Sequence, residues 1–221
     1  MGTPEELNVL DNDAYRFRKP RQARGQEKFD RILRAADDLV VENGADELSL
    51  YDVAERAGVA VGSVYHFFPS KHAVLLALVE HYDRKFEEIV NLLEEGVQFN
   101  SWQDVLWQQT EQSRRYMNST PGALIMILGS GQTWATRLRD EEGDRDIAQS
   151  MATAIQRHFE LPDTPPPDQL LFNAIRILES LWATSYIKTG EVTEEWARET
   201  QKALCAYLGL YWPLYLPQAN N

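Results

Sequence analysis

A glycine set between two short amphipathic runs constrains this chain more than any other feature. In SLYDVAERAGVAVGSVYHFFPSK, from Ser49 to Lys71, the residues Leu50, Val53, Ala54 and Ala57 recur at helical spacing and predict one short helix. Ser49 can cap it by accepting from a first-turn amide, and Asp52 completes an S-x-x-D capping pattern. Gly58 supplies a residue that tolerates positive φ where that helix must stop. A second helix, 61–68, follows after only Val59 and Ala60, ends at Pro69, and leaves Ser70 to cap a third. Two short helices joined by a tight glycine turn form a helix-turn-helix, whose second helix enters the major groove of DNA.

The run Leu50-x-x-Val53-Ala54-x-x-Ala57-Gly58-Val59, then Gly62-Ser63-x-Tyr65-x-Phe67-Phe68 and Ser70-Lys71, resembles the DNA-binding segment of the tetracycline-repressor (TetR) family of bacterial regulators. With a preceding helix over 26–43 and the apolar Val74, Leu75 and Leu78 after it, the resemblance covers roughly 24–82. It implies an all-α chain: a three-helix DNA-binding domain, then a helical domain for ligand binding and dimerisation. It also implies that Arg24, Ser49, Ala60, Val61, Gly62, Ser63, Tyr65, His66 and Lys71 form the DNA-facing set. Ala60 and Val61 can offer only apolar contact, best placed against a thymine methyl, and Gly62 permits close approach. No Arg or Asn stands there for a bidentate base contact, so weight shifts to phosphates and DNA shape. Tyr65 reads either as a phosphate contact or as a core aromatic, and His66 as a DNA contact or a solvated side chain.

The net charge of −12 seems to oppose such a partner until it is located. Residues 1–14 carry four acids and no base; residues 15–90 carry 12 Lys+Arg against 13 Asp+Glu; residues 91–221 carry 10 against 17. The acidity therefore lies mostly outside the DNA-binding stretch, where Arg16, Arg18, Lys19, Arg21, Arg24 and Lys28 form a basic block. Local charge is what phosphate binding needs. Residues 1–25, interrupted by Pro4, Pro20 and Gly25, read as a flexible basic arm that either touches DNA or is merely solvated. The acidic N-terminus lacks the character of a secretory signal, and no apolar run approaches the ~20 residues that span a bilayer. With Cys205 alone, an internal disulfide is excluded and a reducing cytoplasm fits.

The expected organisation is an arm over 1–25, the DNA-binding domain over 26–72 and the ligand-binding domain over 73–221. A connecting helix over 71–95 buries Leu75, Leu78, Tyr82, Phe86, Ile89 and Leu93. Beyond it the period stays helical. Ser101 with Asp104 marks a start, and Pro121-Gly122 a break. Gly129-Ser130-Gly131 stops the apolar run 123–128, Glu141-Glu142-Gly143-Asp144 interrupts a helix, and the prolines of 161–167 form a loop. The last two helices, 168–189 and 193–211, carry stripes wide enough for burial on two sides. Ile175, Leu178, Trp182, Leu204, Tyr207 and Leu208 lie on them as candidate dimer contacts. Pairing of these helices across a two-fold axis is what the resemblance implies.

Aromatic and sulfur side chains between the connecting helix and that bundle are compatible with an apolar pocket, with Trp102, Gln109, Tyr116, Met126, Trp134 and Phe172 as candidate ligand contacts. The expectation is a cytoplasmic homodimeric regulator that binds double-stranded operator DNA and is released by a small-molecule effector, without cofactor, metal or membrane. Two rival readings are an interaction module that docks to protein instead of DNA, and an enzyme in the C-terminal half. Against the enzyme, 96–221 shows no Ser/His/Asp or Cys/His arrangement, phosphate loop or metal spacing.

Overall fold

The computed structural model describes residues 15–92, 98–162 and 165–219. These form helices α1 (Ala23–Asn43), α2 (Leu50–Ala57), α3 (Val61–Phe67), α4 (Lys71–Leu92), α5 (Trp102–Ser119), α6 (Pro121–Ala123), α7 (Trp134–Gln156), α8 (Pro167–Thr189) and α9 (Glu194–Leu208). A π turn, Leu124–Leu128, continues α6. An isolated antiparallel bridge joins Phe159 to Gln218. The connecting-helix residues 93–95, with Leu93, and most of the N-terminal arm lie outside the described residues.

Chain contacts divide the protein into two compact units: 1–82 with 121–140, and 83–120 with 141–221. This division into compact units lies ten residues past the 72/73 boundary expected for the DNA-binding domain, and 121–140 groups with the N-terminal unit. The physical reason is the first half of α4, where every residue from Ala73 to Val79 is buried, on all sides of the helix rather than one stripe.

In the first unit, α1 buries Phe29, Ile32, Leu33, Ala36 and Val40, the face its periodicity predicts. Tyr82 donates its hydroxyl to Asp37 Oδ1 at 2.6 Å, tying α4 to α1. Gly122 of α6 sits so close that a Cβ there would lie 1.8 Å from Asp37 Oδ1 and 2.4 Å from the Tyr82 hydroxyl. The buried Glu80 carboxylate pairs with Lys19 and, at 3.1 Å, with Arg139. After the π turn the backbone closes on itself. The Gly131 amide donates to Ile125 O at 3.1 Å and the Gln132 side-chain amide to Ile127 O at 2.6 Å.

In the second unit, Ser101 caps α5 by accepting from the Asp104 amide at 3.2 Å, as its motif predicts. The predicted interruption at 141–144 is overturned: α7 runs unbroken from Trp134 to Gln156. Gly143 is there for close approach, not for a turn; a Cβ on it would meet Asp83 Oδ2 at 2.3 Å. Arg145, four residues from Glu141, pairs with it at 2.7 Å and supports the helix through the acidic run. Past α9 the chain folds back: Trp212 packs edge-on to Trp102 at 5.2 Å, and the Trp102 indole donates to Pro213 O at 3.0 Å.

Candidate nucleic-acid interface

The turn between α2 and α3 is built as the sequence implies. Ser49 Oγ accepts from the Tyr51 amide at 3.3 Å. Gly58 adopts the left-handed conformation, φ 61° and ψ 42°. Its amide donates to Glu55 O and the Val59 amide to Ala54 O, both at 3.0 Å, which together close the helix in a Schellman motif. Ser70 then caps α4 by accepting from the Ala73 amide at 3.2 Å.

This geometry sorts α3 into two faces. Val64, Phe67 and Phe68 are buried, and Phe29 packs on Phe68 at 4.9 Å and edge-on to Phe67 at 5.7 Å. The opposite side presents Ala60, Gly62, Tyr65 and His66 as exposed, with Val61 and Ser63 half-buried between them. Tyr65 is 45% exposed, which removes its core reading. Nothing lies within 4 Å of a Cβ built on Gly62, so no packing inside the chain demands glycine there. Lys71 is half-buried and donates from Nζ to Asp46 O at 2.7 Å, pinning the start of α4 to the loop ahead of α2.

The part of the arm that is described is not loose, which corrects the flexible reading for 15–25. The Arg18 amide donates to Phe67 O at 2.8 Å, and Phe17 stacks on Phe29 and Phe68, each at 6.1 Å. Tyr15 packs on His72 at 5.2 Å, and residues 23–25 already belong to α1. Two aromatics in the basic block were the signal: Tyr15 and Phe17 anchor it, while Arg16, Arg18, Arg21 and Arg24 stay exposed. Sequence reasoning also passed over Tyr51, 65% exposed on α2. Its place between the inward Leu50 and Val53 would have revealed it. Across the back of the head, Arg56 forks onto Glu42 at 2.8 and 2.7 Å, which holds the carboxyl below its ordinary range and the guanidinium above.

The candidate ligand contacts divide between the units. Met126, buried, and Trp134, 52% exposed, belong to the first. Trp102, Gln109, Tyr116 and Phe172 belong to the second. Trp102 is withdrawn as a pocket residue, since its ring and indole nitrogen are both taken up by the C-terminal strap. Tyr116 packs edge-on to Phe86 at 4.9 Å, and Arg145 stacks over Phe172 at 4.3 Å. Gln109 differs from all of these: it is buried, and neither side-chain amide atom has a hydrogen-bond partner.

Among the candidate dimer contacts, Ile175, Trp182, Leu204 and Leu208 are buried within their own chain. They are corrected to core, because α8 and α9 pack on each other along that stripe. Leu178 and Tyr207 stay half-buried, and Ile187, Leu210 and Tyr211 stand exposed on or just past these helices. Cys205 of α9 is half-buried, and burial pushes its thiol up.

Comparison with known proteins places the head. Residues 32–78 match the family of bacterial regulatory proteins named tetR. The uncharacterized HTH-type transcriptional regulator YvdT of Bacillus subtilis is 39% identical over 62 residues, covering 28% of this chain and 31% of that protein. The HTH-type transcriptional repressor KstR of Rhodococcus jostii is 42% identical over 60 residues, covering 27% and 28%. The aligned part thus spans about three-tenths of these relatives' own length. The fold is similar over far more. A TetR-family transcriptional regulator from Streptomyces coelicolor superposes with a TM-score of 0.70 at 22% identity, over 84% of this chain and 98% of the other. SmeT, the repressor of the Stenotrophomonas maltophilia multidrug efflux pump SmeDEF, gives 0.59 at 19% identity over 85% and 93%.

Proposed function

We propose that this chain, whose residues 32–78 match the tetR family of bacterial regulatory proteins, is a dimeric transcriptional repressor of that kind that leaves its operator when a small molecule binds. The observation that carries the reading is the two-faced α3: Val64 and Phe67 lock it to the core while Ala60, Gly62, Tyr65 and His66 stay open. Apolar and small side chains at its leading edge meet the groove floor. Tyr65, Lys71 and Arg24 take phosphates, with the docked Arg16 and Arg18 beside them. Ser49 serves as the cap that fixes α2 under that edge.

Two copies are needed for two successive major grooves, about 34–36 Å apart. The half-buried Leu178 and Tyr207 offer an apolar strip on α8 and α9 for a second copy. The 26–72 head reads the duplex and the remainder holds the effector. An effector that binds the wrongly spaced dimer more tightly weakens operator affinity by that difference. The names of KstR and SmeT, both called repressors, support the sign of the regulation. No helix among the described residues is long and apolar enough to cross a membrane, which fits action on cytoplasmic DNA.

Selection of genomic fragments with the purified chain tests this reading. It expects a duplex captured with two half-sites and an affinity that falls with salt. Capture of no duplex at low salt overturns it.

A further inference from the structure

Towards the end of α9 the chain stops carrying charge. Residues 203–221 contain no Asp, Glu, Lys or Arg, in a chain of which 25% of residues are charged. A solvated surface ordinarily mixes both signs. Here the uncharged stretch is also open: Leu210 is 77% exposed, Tyr211 40%, Leu214 65% and Tyr215 81%.

The backbone beneath these side chains is fixed at short intervals. Trp212, buried, plugs into the core edge-on to Trp102 at 5.2 Å. The Trp102 indole donates to Pro213 O at 3.0 Å, and the Gln103 side-chain amide to Leu214 O at 3.2 Å. Further on, the Glu160 amide donates to Pro217 O and the Ala219 amide to His158 O, both at 2.9 Å. A strap tied this often presents its outer residues in one conformation, so a partner that binds it meets little ordering cost.

The open residues continue one face of α9. The Trp212 amide donates to Leu208 O at 2.8 Å, so the helical course carries on past Leu208. Leu204, Leu208 and Trp212, each one turn from the next, face the chain's own core, and Tyr207, Leu210 and Tyr211 lie on the other side. The rings of Tyr207 and Tyr211 meet at 5.7 Å, which joins the strap to the strip on α8 and α9. Those two helices turn most of their apolar stripe inward, since Ile175, Trp182, Leu204 and Leu208 are buried. Leu178 and Tyr207 alone fall short of the ~800 Å² per partner that a stable interface covers. At roughly 200 Å² for a fully open side chain of this size, the four strap residues expose on the order of 500 Å², a large patch for a lone monomer.

We propose that the strap is the larger part of the surface on which a second copy of this chain docks, the same face on both copies, with Leu210, Tyr211, Leu214 and Tyr215 covered on pairing. The inference rests on the reading of the chain as a dimer and names where that dimer is made. Tyrosine enrichment and absence of charge are the composition of an interface core. A nucleic acid or an anionic membrane finds no cation within residues 203–221, whereas a second copy brings an equally uncharged strip.

Sedimentation equilibrium on the full-length protein compares the wild type with the double variant Leu214→Glu/Tyr215→Glu, whose altered side chains enter no core. The wild type is expected to be a dimer at micromolar concentration. The variant's dissociation constant is expected to rise about 100-fold or more, with helical content unchanged by circular dichroism. Hydroxyl-radical labelling of the wild type reads the same face without a substitution. Leu214 and Tyr215 are expected to lose reactivity several-fold between concentrations below and above the wild-type constant. A variant that dimerises as the wild type does, or a Tyr215 equally reactive in monomer and dimer, overturns the proposal and leaves the dimer reading standing. A wild type that stays monomeric at every concentration overturns the dimer reading, and the proposal with it. If the variant loses helical content, the labelling result decides alone. Cosedimentation of the wild type, but not the variant, with neutral phosphatidylcholine vesicles assigns the face to lipid and overturns the proposal likewise.

Discussion

The Tyr82 hydroxyl donates to Asp37 Oδ1 across 2.6 Å, and the backbone of Gly122 closes over the pair. Three segments far apart in sequence meet there: α1, α4 and α6. The bond is short and partly buried, so whatever disturbs one segment is felt by the other two.

Gly122→Ala is expected to destabilise the first unit by about 1–3 kcal/mol, the ordinary cost of overpacking. The added methyl would sit 1.8 Å from Asp37 Oδ1. Urea unfolding of the variant measures the loss. Gly62→Ala, with open space at its Cβ and a helical backbone, should leave the urea midpoint unchanged or raise it, and so serves as the control.

Burial raises the Asp37 carboxyl above its ordinary value, and the Tyr82 bond offsets only part of that. The folded state therefore holds the proton more tightly than the unfolded chain. The stabilisation is fully present below the ordinary carboxylate pKa and is lost as pH rises through the raised one. Asp37→Asn keeps an oxygen for Tyr82 and cannot ionise, so its melting temperature relative to wild type should rise from acid to neutral pH. A difference that does not change with pH would contradict this.

Tyr65→Phe removes only an exposed hydroxyl. Duplex affinity should fall by about 0.5–1.5 kcal/mol, the worth of one hydrogen bond, with no change in melting temperature. Lys71→Gln should reduce the slope of log K against log salt by about 1. It should also cost some stability, because the Asp46 carbonyl loses its donor. Titration of the selected duplex at several salt concentrations separates the two effects.

Phe17→Ala withdraws the anchor that seats the basic segment on Phe29 and Phe68. A half-buried ring should cost less than the ~3–5 kcal/mol of a fully buried Phe. Limited proteolysis should show the earlier release: cleavage after Arg16 or Arg18 appears in the variant while α1 remains intact.

Leu178→Glu and Tyr207→Glu place charges on the apolar strip of α8 and α9 without entering the chain's own core. Sedimentation is expected to show monomers for these variants and a dimer for the wild type. Duplex affinity should fall with the loss of the second head.

The features legible in the sequence were those whose cause lies within a turn or two. Ser49, Gly58, Ser70 and Ser101 act on amides a few residues away, so spacing alone located the helix ends they make. The core face of α1 followed from its period for the same reason. Gly143 was misread because a glycine needed for close approach to Asp83 looks, in sequence, like one needed for a turn. Residues 15–25 read as flexible because their proline and charges outweigh Tyr15 and Phe17, whose partners Phe29, Phe68 and His72 lie at a distance in the chain. Trp102 was placed in a pocket because nothing near it in sequence announces Trp212.

By itself, then, the order of residues determined the helical character, the helix-turn-helix and the open edge of α3, since caps, turns and amphipathic periods are local properties. Only the tertiary structure decided which residues on the wide stripes of α8 and α9 are core and which remain open. Only it left Gln109 and Trp182 buried without partners. Burial and hydrogen-bond satisfaction belong to side chains brought together from separate helices, and no local pattern encodes who those neighbours will be.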